Sequence, residues 1–514
     1  MRGSERPQIT PATRIASAPP PPDKLATPAS GEVTRAQFLN LFTAVFLPMF
    51  MAAVDQTLLA TATPAIADSI GGLRDTSWIA VAYLLASATV VPAYGRLGDQ
   101  RGRREMLLVA LAIFTLGSVG CGIAQTFPQL VVARVVQGLG GGGLMTLTQA
   151  LIGEVVPPRE RPRFQGYFAI VFTSASVGGP VLGGLVVSHL SWRWLFLANL
   201  PFAVFAAWRL LRLRSGVRHT RAVNERDVVG LMLFAIGALS GLFWLTAGGH
   251  HFAWRSTESG ALLLIAVAAL GTLSWYERRH RTPFLPIDLL RAPPIRFSVL
   301  TVTLFAGCMF AMIFYLPIYL QLGHHLSAIA SGVLLLPLTA GMVVASISVA
   351  QILRRSGDPK PWPIIGMSVS AVALLLLGVL PPNTALVVAL GFVAGMGFGT
   401  VMPISQMIGQ TVAGHGRLGA VTSMISLARS TGAAIGAALF GALAFALVPG
   451  DLDIHALLHS PDEGQLQSLL HAFHKAFLLA AAFAALAAVS AVCIPRIKLW
   501  PPRKVGASAE SNRS

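Results

Sequence analysis

Fourteen apolar runs, each 17 to 30 residues long and separated by short charged or turn-forming stretches, dominate this 514-residue chain. They cover residues 38–63, 78–94, 106–125, 130–155, 164–188 and 194–211, then 228–247 and 259–276. The last six cover 297–322, 330–353, 362–380, 384–411, 419–448 and 472–494. The hydrocarbon core of a bilayer is about 30 Å thick, and an α-helix crosses it in about 20 residues. Only helices and closed barrels satisfy their backbone there. Only 11% of the residues are charged, against about 25% in an ordinary soluble domain. Mean hydropathy is +0.67. This excludes a disordered chain, a secreted disulfide scaffold and a free cytosolic enzyme. The expected fold is an all-α polytopic membrane protein with fourteen spans.

A net charge of +17 invites a nucleic-acid reading, but the basic residues form no single patch. Of 38 Lys and Arg, 32 fall on one set of alternate loops, four on the other and two inside the runs. Basic loops mark the cytosolic side, so an even number of spans is expected, with both termini in the cytosol. Residues 1–37, rich in Pro, Ala, Ser and Thr, read as a disordered cytosolic tail without a removable signal peptide. The runs then group as a six-helix bundle (38–211), a linker with two extra helices (212–296), a second six-helix bundle (297–494) and a cytosolic tail (495–514). Paired six-helix halves are the architecture of secondary transporters, whose substrate site lies near midplane between the halves. Cys121, Cys308 and Cys493 fall in apolar runs and suggest neither disulfides nor metal ligation.

The most specific string is Gly95-Arg96-Leu97-Gly98-Asp99-Gln100-Arg101-Gly102-Arg103-Arg104, between the second and third runs. Its glycines permit a tight turn and its arginines hold the turn at a membrane face. It resembles the loop signature of the major facilitator superfamily. Three further motifs resemble the fourteen-span drug/proton antiporters of the EmrB/QacA type within it. In the first run Asp55, Thr57, Ala62 and Pro64 match, while Ala60 stands where an Asn is usual. In the fourth, Leu130, Arg134, Gln137, Gly138 and Gly140 match. In the fifth, Gly166, Gly179, Pro180, Gly183 and Gly184 match an antiporter motif, with Ala175 in place of a Gly. Taken alone, that glycine series reads more readily as ordinary small-residue helix packing, and it is the ordered co-occurrence of the four motifs that favours the antiporter reading.

Three ionisable residues lie deep in the runs: Asp55, Arg134 and Arg429. A charge at the bilayer centre costs at least about 2.5–3.5 kcal/mol, so each needs a reason. Burial favours protonated Asp55 and a neighbouring arginine favours its ionised form, which suits a switching proton site. The other reading is an ion pair with Arg134 that only holds two helices together. Arg134 and Gln137 share a helix face, with Gly138, Gly141 and Gly142 expected to clear space beside them. Glu154 reads as a helix-end residue with a snorkelling or loop contact. The candidate substrate cavity comprises Gln56, Thr57, Gln137 and Arg429. Arg429 also admits a packing role across helices.

The family resemblance implies a conformational latch at Gly95, Gly98, Asp99, Gly102, Arg103 and Arg104, in which Asp99 meets the N-terminus of the thirteenth span near Gly419. His455 and His459 are spaced like metal ligands, but solvated histidines are the commoner case and no metal is expected. No nucleotide-binding loop or nucleophile elbow is present in the sequence, and no cofactor is expected. The resemblance implies proton-driven export of small amphiphiles across a bacterial inner membrane. Expected partners are the substrate, protons and membrane lipids, with a periplasmic adaptor and outer-membrane channel as candidates and nucleic acid excluded. A dedicated exporter of one metabolite or antibiotic, or a transport-dead sensor or scaffold, are the alternatives.

Overall fold

The structure, a computed structural model, describes residues 35–70, 77–157, 160–213, 227–248, 252–279, 287–324, 326, 328–380, 383–446 and 463–499. His455 and His459, both tails beyond these limits, and the side chains of Gln56, Thr57 and Pro180 lie outside the described residues.

The chain forms α1 (Arg35–Ile70), α2 (Ser77–Arg101), α3 (Arg103–Ile123), α4 (Phe127–Val155), α5 (Arg161–His189), α6 (Trp194–Leu197) and α7 (Asn199–Arg212). Next come α8 (Val228–Ala247) and α9 (Thr257–Glu277). The remainder is α10 (Pro293–His324), α11 (Ala328–Val333), α12 (Leu336–Ser356), α13 (Pro361–Val379), α14 (Thr384–Phe398), α15 (Val401–Ala413), α16 (Leu418–Ala446) and α17 (Glu463–Val492). Among the described residues, eleven helical segments are long and apolar enough to cross a membrane. The expected spans in α1, α5 and α16 are not among those eleven.

Two separate cores account for the two bundles. One joins buried side chains from Ala44 to Leu210, including Phe114, Leu144 and Phe196. The other runs from Leu289 to Ala488 and includes Phe305, Phe398 and Phe477. Large apolar side chains such as Leu116, Val204 and Leu264 are left exposed at 68–70%. A bilayer solvates such residues and water does not.

Small residues set the helix spacing inside the first bundle. A Cβ added to Gly138 would lie 2.4 Å from the Tyr83 carbonyl oxygen, and one on Gly142 would lie 2.3 Å from that of Ser87. Gly140 meets the Phe114 backbone nitrogen at 2.3 Å in the same construction. The glycine face of α4 therefore admits α2 on one side and α3 on the other. Gly138→Ala is expected to lower stability by about 1–3 kcal/mol through overpacking. A thermal melt in detergent checks this, and an unchanged midpoint would count against tight α2–α4 packing.

The inserted pair α8–α9 leans on both bundles. Phe234 and Leu273 cluster with Ala93 of α2 and Leu427 of α16, and Trp78 stacks on Phe243 at 5.3 Å. Asp227 caps α8 by accepting from the Gly230 backbone N–H at 2.7 Å, and its other oxygen lies 4.0 Å from Arg96. The pair is thus anchored beside the Gly95–Arg104 string.

Candidate functional site

Asp55, on α1, sits where α1, α3, α4 and α7 converge. Arg134 donates from Nη1 to Asp55 Oδ2 at 2.6 Å, and Gln137 donates from Nε2 to Asp55 Oδ1 at 2.8 Å. Arg134 also donates to Gln137 Oε1 at 2.6 Å and, from Nε, to the Ile79 carbonyl at 3.0 Å. Gln137 Nε2 reaches Ser118 Oγ at 2.8 Å, and Asn199 Nδ2 reaches the same hydroxyl at 3.3 Å. Aromatic faces complete the enclosure, with the guanidinium carbon 4.4 Å from the Tyr83 ring centroid and 5.8 Å from that of Phe196. Arg134 is 1% exposed, Asp55 3% and Gln137 0%.

This corrects the expectation of an open cavity beside Arg134 and Gln137. The space Gly138, Gly141 and Gly142 were expected to clear is filled by α2, the Tyr83 hydroxyl lying 2.1 Å from a Cβ built on Gly141. The physical reason is that a buried ion pair holds only when both charges keep their hydrogen bonds, and helix contact supplies them here. Ser118, Asn199, Tyr83 and Phe196 were not singled out from sequence. Neutral polar and aromatic residues in an apolar run give no signal that separates a network role from ordinary packing.

The Gly95–Arg104 string forms a second constellation at the end of the bundle carrying the basic loops. Asp99 accepts from the backbone N–H of Gly419 at 2.8 Å and of Ala420 at 2.9 Å. Gly419 and Ala420 lie in the first turn of α16, where free N–H groups and the positive end of the helix dipole favour an anion. Arg103 donates to Asp99 at 2.5 Å and also pairs with Glu154. Glu154 is therefore held in an ion-pair network rather than by the snorkelling or loop contact expected of it. The physical reason is the reach of Arg103, whose fork bridges two carboxylates at once.

Gly95 and Gly419 let α2 and α16 touch, since a Cβ on Gly419 would sit 2.2 Å from the Gly95 carbonyl. A Cβ on Gly98 would lie 2.6 Å from the Leu147 side chain. Gly102 has φ +107°, a conformation that L side chains rarely adopt, and it breaks α2 from α3. Arg104 ties the turn to α7 through the carbonyls of Leu210 at 2.6 Å and Leu211 at 2.5 Å.

Two more bridges join the bundles on this side. Gln406 of α15 donates to Gln149 of α4 at 2.8 Å, with both side chains buried, and Arg354 pairs with Glu160 at 2.8 Å. These bridges, like the Asp99 contact with α16, lie toward the basic loops. On α5, Gly166 packs across the halves, its added Cβ 3.3 Å from Ile347 of α12. Gly179 and Gly183 are buried, whereas a Cβ on Gly184 would meet nothing within 4 Å. Arg429, on α16, is partly exposed and forms no hydrogen bond or ion pair among the described residues.

Comparison with known proteins follows the same geometry. The family described as Major Facilitator Superfamily matches residues 45–437. The "Multidrug transporter protein MdtP" of Bacillus subtilis is 36% identical over 78% of this chain and 74% of its own length. The "Tetracenomycin C resistance and export protein" of Streptomyces glaucescens is 30% identical over 81% of this chain and 77% of its own. The solved structure of the proton:xylose symporter XylE superposes with a TM-score of 0.61 at 14% identity, covering 91% of this chain and 98% of that one. That last likeness concerns the fold alone. With a family match over residues 45–437 and a relative 36% identical over 78% of the chain, the chain belongs to the major facilitator superfamily and is a transporter, not an enzyme.

Proposed function

We propose that this protein exports small amphiphilic compounds across a bacterial inner membrane in exchange for protons, by alternating access between two six-helix bundles. The reading takes fourteen spans, with the basic loops and both termini in the cytosol. The observation that carries it is the enclosed Asp55–Arg134–Gln137 cluster, whose single carboxylate lies deep in a bundle. Asp55 carries the exchangeable proton. Arg134 balances the charge of the carboxylate, and the proton exchanges when that contact opens. Gln137 bonds both partners and holds their geometry. Gln56 and Thr57 follow Asp55 on α1 and belong to the substrate path, together with Arg429. Asp99, Arg103 and the glycines around them latch the cytosolic side, and the Asp99 contact with the start of α16 supports that reading. The names of relatives, which include a multidrug transporter and an antibiotic export protein, support efflux as the direction.

One carboxylate implies about one proton per cycle. Exchange of a neutral molecule for one proton moves one positive charge inward, and the membrane potential acts on it by about 2.3 kcal/mol per 100 mV. Export of a dication against one proton would move a positive charge outward, against the potential. Neutral or anionic amphiphiles are therefore the expected cargo. In everted vesicles, accumulation of a neutral dye is expected to fall when either the pH gradient or the potential is collapsed alone. Accumulation indifferent to both gradients would overturn proton-driven export.

A further inference from the structure

Two arginines lie at membrane depth, and their surroundings differ. Arg134 is saturated by Asp55, Gln137, the Ile79 carbonyl and the Tyr83 ring. Its charge is cancelled within the protein and its side chain is closed to any ligand. Arg429 has no such compensation. It forms no hydrogen bond or ion pair among the described residues, yet its side chain remains partly accessible.

The position of Arg429 shows where that accessible space lies. It is eleven residues into α16 from Leu418, or about 16 Å along the helix axis, close to the middle of a bilayer core about 30 Å thick. On its own helix face, Ile425 and Thr422 one and two turns earlier are fully buried. Gly432, three residues later, lies against the backbone of α10, where its added Cβ would be 2.1 Å from the Thr303 carbonyl. The face that carries Arg429 is therefore directed into the protein and not toward lipid. Its partly accessible side chain therefore lies on a face that packs against other helices. Neither α16 nor α10, which packs against it, contains an Asp or Glu.

A guanidinium at this depth is retained at a cost unless something neutralises it. Among the described residues no carboxylate pairs with Arg429, which leaves its charge to be met by a bound ligand. We propose that Arg429 is the headgroup site for amphiphilic substrates bearing a single acidic group, a carboxylate or sulfonate, which it holds through the planar two-point contact that a guanidinium makes with an oxyanion. This deepens the proposed export function and rests on it for the identity of the cavity. A small inorganic anion shares the headgroup chemistry, and the experiment separates the two.

Equilibrium binding of dansyl-undecanoic acid and of its methyl ester to purified protein in lipid nanodiscs tests the assignment without requiring transport. The wild type is expected to bind the acid at least about tenfold more tightly than the ester, as a charge-assisted contact predicts. Arg429→Gln is expected to erase that preference, with a cooperative thermal melt in the same nanodiscs reporting that the variant is folded. Arg429→Lys is expected to retain part of the preference, since it keeps the charge and loses the fork. A wild type without preference for the acid, or a preference that survives Arg429→Gln, overturns the proposal. So does loss of the preference in the wild type when chloride is added in place of isosmotic sucrose, which would make the site one for an inorganic anion. Proton-driven uptake of the ester into proteoliposomes is read in parallel. Its failure with the acid preference intact would refute proton-driven export and leave the Arg429 assignment standing.

Discussion

Asp55→Asn inserts and folds but loses proton-driven transport by at least about tenfold, the largest functional loss expected of any single substitution here. An amide is nearly the size of the carboxylate and still offers an oxygen to Arg134, so the packing between α1 and α4 persists. It cannot take up or release a proton, and its loss removes the negative charge that compensates Arg134. Breaking a buried ion pair by deleting one partner typically costs about 3–5 kcal/mol. The retained amide contact softens that, so a lowered melting temperature accompanies the functional loss without preventing folding. Substrate exchange down its own gradient is expected to survive. Uptake into everted vesicles with an imposed pH gradient, compared with exchange without one, makes the measurement. A mutant that still concentrates substrate against its gradient would remove Asp55 from the coupling mechanism.

The second large effect concerns the contact between α2 and α16. Asp99 spans 320 positions of sequence to reach the Gly419 N–H, and it does so as a charged acceptor at a helix N-terminus. Bonds to a charged group contribute about 1.5–3 kcal/mol each, against 0.5–1.5 for neutral ones. Asp99→Asn therefore weakens the closed state by about 1–3 kcal/mol, a shift of roughly five- to 150-fold in the conformational equilibrium. Arg103 then keeps its ion pair with Glu154. Turnover is expected to fall about tenfold while the concentration for half-maximal transport changes by no more than about threefold. A collapse of affinity with turnover preserved would make Asp99 a substrate ligand instead of a latch.

Much of this was readable from residue order because both constellations contain charged residues in apolar surroundings. A carboxylate or guanidinium inside a bilayer run is costly, and that cost made Asp55, Arg134 and Arg429 stand out. The Gly95–Arg104 string stood out for the same reason combined with its glycines. What was not readable depended on neutral groups or on enclosure. Gln149 and Gln406 bridge the two bundles as a buried amide pair, yet each is one of several neutral polar residues in its helix, and nothing in the order of residues pairs these two. Ser118 and Asn199 complete the Asp55 cluster only because α3 and α7 arrive beside α4. The burial of Arg134 was missed because sequence places Gly138, Gly141 and Gly142 on a face without saying what fills it. Here Tyr83 and the α2 backbone fill it, and the expected opening is a helix contact.

The central claim is that ligand binding and protonation compete through Asp55. It is tested most directly by proton release from purified protein in weakly buffered detergent solution when the dansyl ester is added. The ester carries no ionisable acid group of its own, so any pH change belongs to the protein. The account predicts release of about one proton per ligand bound by the wild type, and none by Asp55→Asn at the same occupancy. Equal release by the two proteins, or binding to the wild type with no proton released at any pH, would contradict it.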